Sequence, residues 1–262
     1  MARCTKAPLT CRPPRNGPRK RMTAATPRTR IAAIVPVFNE EATLAHVLAT
    51  LRSIPSLDEV LVVSDGSTDA TVEIARREGV KAIHLKQNRG KATAMAAGMA
   101  HTTAPLLLFV DGDILHLGRT DIEALIGPVV SGRAAMSIGG RHRGPTLDAI
   151  YTRYGPRLSG IRCLRREVFE AIPERFVDGF CIETALNWAC ERLGWRAETL
   201  ILHGLEHVVK EKKRGLLQGV YARLGMFTTV FLAYMRLQLT QPSLRVARRD
   251  AAQKLELEYI NF

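Results

Sequence analysis

Several features are scarce in this 262-residue chain, and each scarcity narrows what it can do. The five cysteines, Cys4, Cys11, Cys163, Cys181 and Cys190, form no C-x-x-C pair, which predicts a reduced, cytoplasmic protein without structural zinc. No run of about 18 uninterrupted apolar residues occurs, so no transmembrane helix is predicted. The nearest approach, Leu216 to Leu239, is interrupted by Gln218, Arg223 and Arg236. Neither G-x-x-x-x-G-K-[ST] nor G-x-G-x-x-G is present, which argues against nucleoside-triphosphate hydrolysis and dinucleotide redox chemistry. There is no internal repeat.

Acidic residues are missing from positions 1 to 30, which carry nine Arg or Lys. The formal net charge of +13 is therefore mostly that of a tail, with +4 left for the remainder. Prolines at 8, 13, 14, 18 and 27 and the lack of apolar periodicity predict a disordered basic tail over residues 1–29. The tail also lacks the apolar stretch of a secretory signal peptide. Met22 leads directly into the first apolar run and is expected to be the true start, an expectation that intact-mass measurement would test. A basic arm that touches anionic lipid or nucleic acid is the alternative reading.

What is present is a 46% hydrophobic chain, enough for a full α/β core. Apolar runs at Ile31–Val37, Glu59–Val63, Lys81–Leu85 and Pro105–Val110 read as strands. Between them lie a Leu44, Val47, Leu48, Leu51 helix with Asn39 as N-cap, a helix near 69–78 closed by Gly79, and a helix near 91–101. The order predicts a mostly parallel, Rossmann-like nucleotide-binding sheet with helices on both faces. Beyond it, a helix near 121–130, a strand near 134–138, a glycine-rich basic loop from Gly139 to Pro145, helices near 167–171 and 181–193, and a strand near 197–202 are expected. A final helix near 214–239 has Leu216, Val220, Leu224, Phe227 and Phe231 along one course, preceded by Lys210, Lys212, Lys213 and Arg214. Such a face suits a membrane surface, docking on the catalytic domain or a homodimer contact.

Three strand ends carry the chemistry. Val35-Pro-Val-Phe-Asn-Glu-Glu41 ends the first strand, Ser64-Asp-Gly-Ser-Thr-Asp69 the second, and Asp111-Gly112-Asp113 the fourth. In a parallel sheet all three open on one edge, where ligands bind. Two carboxylates flanking a glycine there can share a hard divalent cation with a diphosphate, although a polar turn leaving a strand is the alternative. Asp65 could accept from a base imide N–H. Asn88-Arg-Gly-Lys91 is a basic loop at a helix N-terminus, suited to a phosphate.

In order and spacing these motifs resemble the family 2 glycosyltransferases of the GT-A fold, over roughly residues 30 to 205. The resemblance implies a nucleotide-diphosphate sugar donor and Mg²⁺ or Mn²⁺. It places Pro36, Phe38 and Glu40 along the nucleoside, Asp65 at the base, Lys91 near that acid or the diphosphate, and Asp111 and Asp113 at the metal and ribose. Phe38 as a cover for the sheet edge, Glu40 as a first-turn acid and Lys91 as a solvated helix residue are the competing readings.

The segments Leu158-Ser-Gly-Ile-Arg162, Arg165-Arg-Glu-Val-Phe169 and Gly179-Phe-Cys-Ile-Glu-Thr-Ala-Leu-Asn187 look like those of the dolichol-phosphate-sugar synthase type. Those enzymes transfer a sugar to a lipid phosphate. Many inverting relatives carry Glu-Asp where this chain has Glu183-Thr184, so the expected base is missing. A phosphate acceptor is already ionised and needs none. It needs cations instead, for which Arg162 is the candidate, with Arg141 or Arg143 behind it and a salt bridge as the competing reading for Arg162. Glu183 is expected to orient sugar or acceptor, Asp178 is the fallback base, and His207 rather than His203 is the favoured late metal ligand.

The chain is thus read as a basic tail over 1–29, a GT-A catalytic domain over 30–205 and a C-terminal helical segment over 206–262. The expected activity is metal-dependent sugar transfer to an acceptor such as a lipid phosphate, by a protein that is cytoplasmic or peripheral at the inner membrane face, with no nucleic acid as partner. A sugar nucleotidyltransferase and a nucleic-acid-binding protein built around the tail are the alternatives. The sugar nucleotidyltransferase fits less well because Pro-Val-Phe-Asn-Glu stands where its glycine-rich loop belongs.

Overall fold

The computed structural model describes residues 28–142, 144–148, 158–173, 182–203, 205–207 and 257–260, with isolated positions 235 and 239. Residues 1–27 with Met22, the residues Arg143, Asp178 and Cys181, and the helix expected near 214–239, apart from those two positions, lie outside the described residues.

Four apolar segments form the expected strands: β1 (Ile31–Val37), β2 (Glu59–Ser64), β3 (Lys81–Leu85) and β4 (Leu106–Phe109). They pair in parallel in the order β3-β2-β1-β4, with Ile34 beside both Leu61 and Phe109. Alternate residues of each strand enter two cores, because successive side chains point to opposite faces. On β4, Leu107 and Phe109 join one core with Ile34, while Leu106 and Leu108 join the other with Val35. This is why the runs are continuously apolar rather than alternating.

Helices α1 (Leu44–Arg52), α2 (Thr71–Arg77) and α4 (Arg119–Val130) cover one face. Helices α3 (Lys91–Ala100), α5 (Arg166–Glu170) and α6 (Ile182–Arg192) cover the other. Helix α3 is rich in Ala and Gly, and so comes unusually close to the sheet: a Cβ on Gly98 would overlap Ile34 and crowd Val63. That closeness brings the first residue of α3, Lys91, to the carboxyl edge of the sheet.

Beyond β4 the sheet continues through β7 (Arg162–Arg165), β6 (Met136–Arg141) and β8 (Ala197–Leu202). Strand β7 is antiparallel to both neighbours, and β6 pairs in parallel with β8. Strands β6 and β8 therefore run in the direction of β1 to β4 and open on the same edge. A small antiparallel pair, β5 (Ile114–Leu115) with β9 (Glu206–His207), lies outside the main sheet, and β10 (Leu257–Ile260) adds antiparallel to β3.

Several local expectations change. Asn39 does not cap α1, which starts at Leu44 with Thr43 in the cap position; Asn39 has φ +55° and serves a neighbouring loop. Gly139 to Arg141 of the glycine-rich segment are strand, paired with Leu200 to Leu202. Two pieces of the segment expected to be helical, 206–207 and 257–260, are strands. Among the described residues no helix is long and apolar enough to cross a membrane.

Candidate active site

The turn after β1 and the loop after β2 are tied together by exchanged hydrogen bonds. The Asp65 N–H donates to the Val37 carbonyl at 2.8 Å, and Asn39 N–H to Ser67 Oγ at 3.1 Å. Thr68 N–H returns a bond to Asn39 Oδ1 at 2.9 Å. Glu40 N–H donates to Thr71 Oγ1 at 2.9 Å, Glu41 N–H to Asp69 Oδ2 at 3.2 Å, and Ala70 N–H to Glu41 Oε2 at 3.0 Å. Partial burial opposes ionisation of Asp69, but bonds from Thr71 and from backbone N–H groups hold its carboxyl below the usual range. The result is a rigid lip on which Pro36 is buried, Glu40 half-buried and Phe38 exposed.

Asp65 is buried at the end of β2. Its Oδ1 accepts from the Arg89 N–H at 2.8 Å and its Oδ2 from the Gly90 N–H at 2.7 Å. The residue expected to read a base thus also anchors the Asn88–Lys91 loop. A carboxylate accepts about four hydrogen bonds, so acceptor capacity remains for a ligand.

Lys91 is the hub. Its Nζ lies 2.5 Å from Asp111 Oδ1 and 3.2 Å from Glu183 Oε1. One ammonium therefore joins the end of β4 to the first turn of α6. Burial opposes its charge, but the two carboxylates outweigh that and push its pKa above the usual lysine value. Glu183 shows the mirror image: burial favours its neutral form, yet Lys91 and Arg162 hold its carboxyl below the usual range. Gly160 lies directly over the pair, and a Cβ there would collide with the Asp111 carboxylate and the Lys91 ammonium. The sequence marks Gly160 only as part of the Leu158–Arg162 segment, with no role of its own assigned to it.

Arg162, expected to meet an acceptor phosphate, is fully buried. Its Nε and Nη2 donate to the Ser159 carbonyl at 3.0 and 2.5 Å, and its Nη1 to the Glu183 carbonyl at 3.4 Å and Asn187 Oδ1 at 3.5 Å. It supports the floor of the site by tying the 158–160 loop to α6. An isolated charge could not be buried so; this one is compensated by carbonyls and by the field of Glu183.

At the other end, Thr43 Oγ1 donates to the Gly112 carbonyl at 2.7 Å and pins the Asp-x-Asp turn to the base of α1. Asp113 precedes β5, and the β5–β9 register sets His207 opposite Ile114. The backbone of the favoured histidine is thereby brought opposite the residue that follows Asp113; its side chain lies outside the described residues. His203 instead lies against His142, ring centroids 4.6 Å apart and the planes tilted by 44°. Among the described residues no three His, Cys, Asp or Glu side chains converge as a metal site. A carboxylate and an imidazole, completed by diphosphate oxygens, nevertheless form a donor set that suits Mg²⁺ or Mn²⁺. Asp111 is drawn instead to Lys91.

Residues 32–182 match the family described as Glycosyl transferase family 2. The chain belongs to that family. Glucosyl-3-phosphoglycerate synthase of Mycobacterium tuberculosis is 27% identical over 131 residues, 47% of this chain and 40% of that protein. Dodecaprenyl-phosphate galacturonate synthase of Rhizobium johnstonii is 33% identical over 118 residues, 37% of this chain and 35% of that protein. The chain thus matches less than half the length of these curated relatives. Among solved structures, the M. tuberculosis glucosyl-3-phosphoglycerate synthase in complex with Mn²⁺ and UDP-glucose superposes with a TM-score of 0.65 at 24% identity, over 82% of this chain and 80% of that one. The sheet and its helices are accordingly the GT-A architecture expected from the sequence.

Proposed function

We propose that this family 2 glycosyltransferase moves a sugar from a nucleotide-diphosphate sugar to a phosphate-bearing acceptor with the help of Mg²⁺ or Mn²⁺. The observation that carries the reading is the Lys91 bridge, which ties Asp111 on the donor strand to Glu183 on the helix facing the acceptor. Both relatives named above have a phosphate in the compound their names describe, phosphoglycerate in one and a polyprenyl phosphate in the other.

In this reading the nucleoside lies along Pro36, Phe38 and Glu40, with the base at Asp65. Asp113 and His207 would hold the metal, with Asp111, bonded to Lys91, beside them at the end of β4. A cation held there would supply charge to neutralise the departing diphosphate. Glu183, kept ionised by Lys91 and Arg162, is a weak proton acceptor at neutral pH. Its work is to orient the sugar or acceptor by accepting hydrogen bonds, while Arg162 keeps it in place from below. Asp178 remains a fallback base. An acceptor carried on a lipid would bring the protein to the inner membrane face, with Lys210, Lys212, Lys213 and Arg214 against anionic headgroups.

The test is release of nucleoside diphosphate from a panel of UDP-, GDP- and dTDP-sugars with Mn²⁺ or Mg²⁺. Asp113→Ala is expected to lower turnover about 100-fold or more, the scale of losing a group that stabilises developing charge. Unchanged turnover and unchanged metal dependence in that variant would refute the metal assignment.

A further inference from the structure

A second group of side chains on the same sheet edge has no part in the site described above. Arg141 and Leu202 are register partners at the ends of β6 and β8, so the residues that follow them, His142 and His203, emerge side by side. His142 Nδ1 lies 2.5 Å from Asp148 Oδ2. Asp148 is buried and sits in a helical turn whose N–H donates to the Gly144 carbonyl at 2.9 Å. His142 keeps 43% of its side chain exposed while its Nδ1 is held and its ring lies beside that of His203.

The place matters as much as the pair. Strand β6 is separated from β4 only by β7, two strand spacings or about 10 Å. The loop that enters β7 is the one whose Gly160 covers Asp111 and Lys91. His142 therefore stands on the far side of that loop from the donor strand, on the same edge of the sheet. The helix α6 supplies no neutral-pH base here. Thr184 occupies the position where an acid was expected, its hydroxyl is buried, and Glu183 is bonded to Lys91.

We propose that His142, oriented by Asp148, takes the proton of an attacking acceptor hydroxyl; this rests on the glycosyl-transfer reading and identifies the nucleophile within it. A carboxylate on Nδ1 fixes the tautomer that leaves the Nε2 lone pair outward, and it stabilises the imidazolium once formed. In the step, the acceptor O–H proton passes to Nε2 and the oxygen bonds to the anomeric carbon. The bond from that carbon to the diphosphate oxygen breaks, and its electron pair leaves with the diphosphate. The imidazolium then returns its proton to water. The acceptor is thus a phosphate-bearing molecule that attacks through a hydroxyl rather than through its phosphate oxygen.

The experiment measures nucleoside diphosphate release by the full chain with Mg²⁺, using the nucleotide sugar and acceptor that the wild type turns over best. UDP binding with Mg²⁺ is followed in parallel by calorimetry. His142→Ala is expected to lose about 10²- to 10⁴-fold in turnover with UDP affinity within twofold, and to recover activity with added imidazole. Asp148→Asn is expected to lose at least about 10-fold. His142→Gln, which preserves a hydrogen bond to Asp148 but cannot take a proton, carries the same expected loss should the alanine variant fold poorly. Wild-type turnover in His142→Ala or His142→Gln, or a loss that imidazole does not restore in a folded alanine variant, would overturn the assignment. A wild type that releases no diphosphate from any nucleotide sugar would instead defeat the transferase reading, and this assignment with it.

Discussion

At Lys91 one ammonium is shared between two carboxylates, and removing it leaves Asp111 and Glu183 close together with only Arg162 to offset Glu183. Lys91→Met is expected to destabilise the fold by about 1–3 kcal/mol in a urea titration, between the values for exposed and for buried pairs, because a third of the lysine side chain is exposed. The same cluster sets a pH dependence. The folded pKa of Glu183 is depressed, so the unfolded chain binds more protons in acid. The stabilisation is complete above the ordinary value of 4.5 and is lost as pH falls through the lower folded value. Lys91 acts in the opposite direction: its contribution is full below 10.5 and is lost only as pH rises beyond that. Wild type is therefore expected to lose stability below pH 4.5 more steeply than Glu183→Gln, as read from denaturant midpoints across pH.

Helix α3 shows how an element delivers a residue to a site. Its small side chains let it lie close on β1, and Asp65 fixes its entry by accepting from two successive backbone N–H groups. Asp65→Ala would remove two charge-assisted bonds, each worth about 1.5–3 kcal/mol, at a buried position. A fall in stability of about 3 kcal/mol by chemical denaturation is expected, together with weaker nucleotide binding. A residue that only read a base would lower binding and leave stability unchanged. The strands β1 to β4 and helices α1 to α4 were legible in the sequence because apolar runs, turn residues and helical spacing are local signals. The contacts of Asp65 with Arg89 and Gly90, and of Lys91 with Glu183, were not, since they join residues 24 to 92 positions apart and depend on how closely α3 packs. Strand β7 was hidden for a different reason: Arg-Cys-Leu-Arg has charge at both ends, and only the fold reveals that Arg162 is buried.

Across the whole molecule, six strands among the described residues run parallel and open on one edge, and the antiparallel β7 feeds its entry loop into the middle of it, with Gly160 over Asp111 and Lys91. The far end of the sheet is finished differently. Among the described residues, strand β3 has β2 on one side and β10 on the other, in a register that sets Leu257 opposite Leu85 and Ile260 opposite Ala82. Without β10 the unpaired N–H and C=O groups of β3 would form an open edge, a template for pairing with another chain. Ending the chain after residue 256 should leave the Lys91–Asp111–Glu183 cluster intact, because that cluster lies beyond β2 and β1 from this edge. The expected outcome is a truncated protein that still binds nucleotide with metal per folded molecule but self-associates with rising concentration, seen by light scattering. An equally monodisperse truncated protein would mean that the β3 edge is protected by something other than β10.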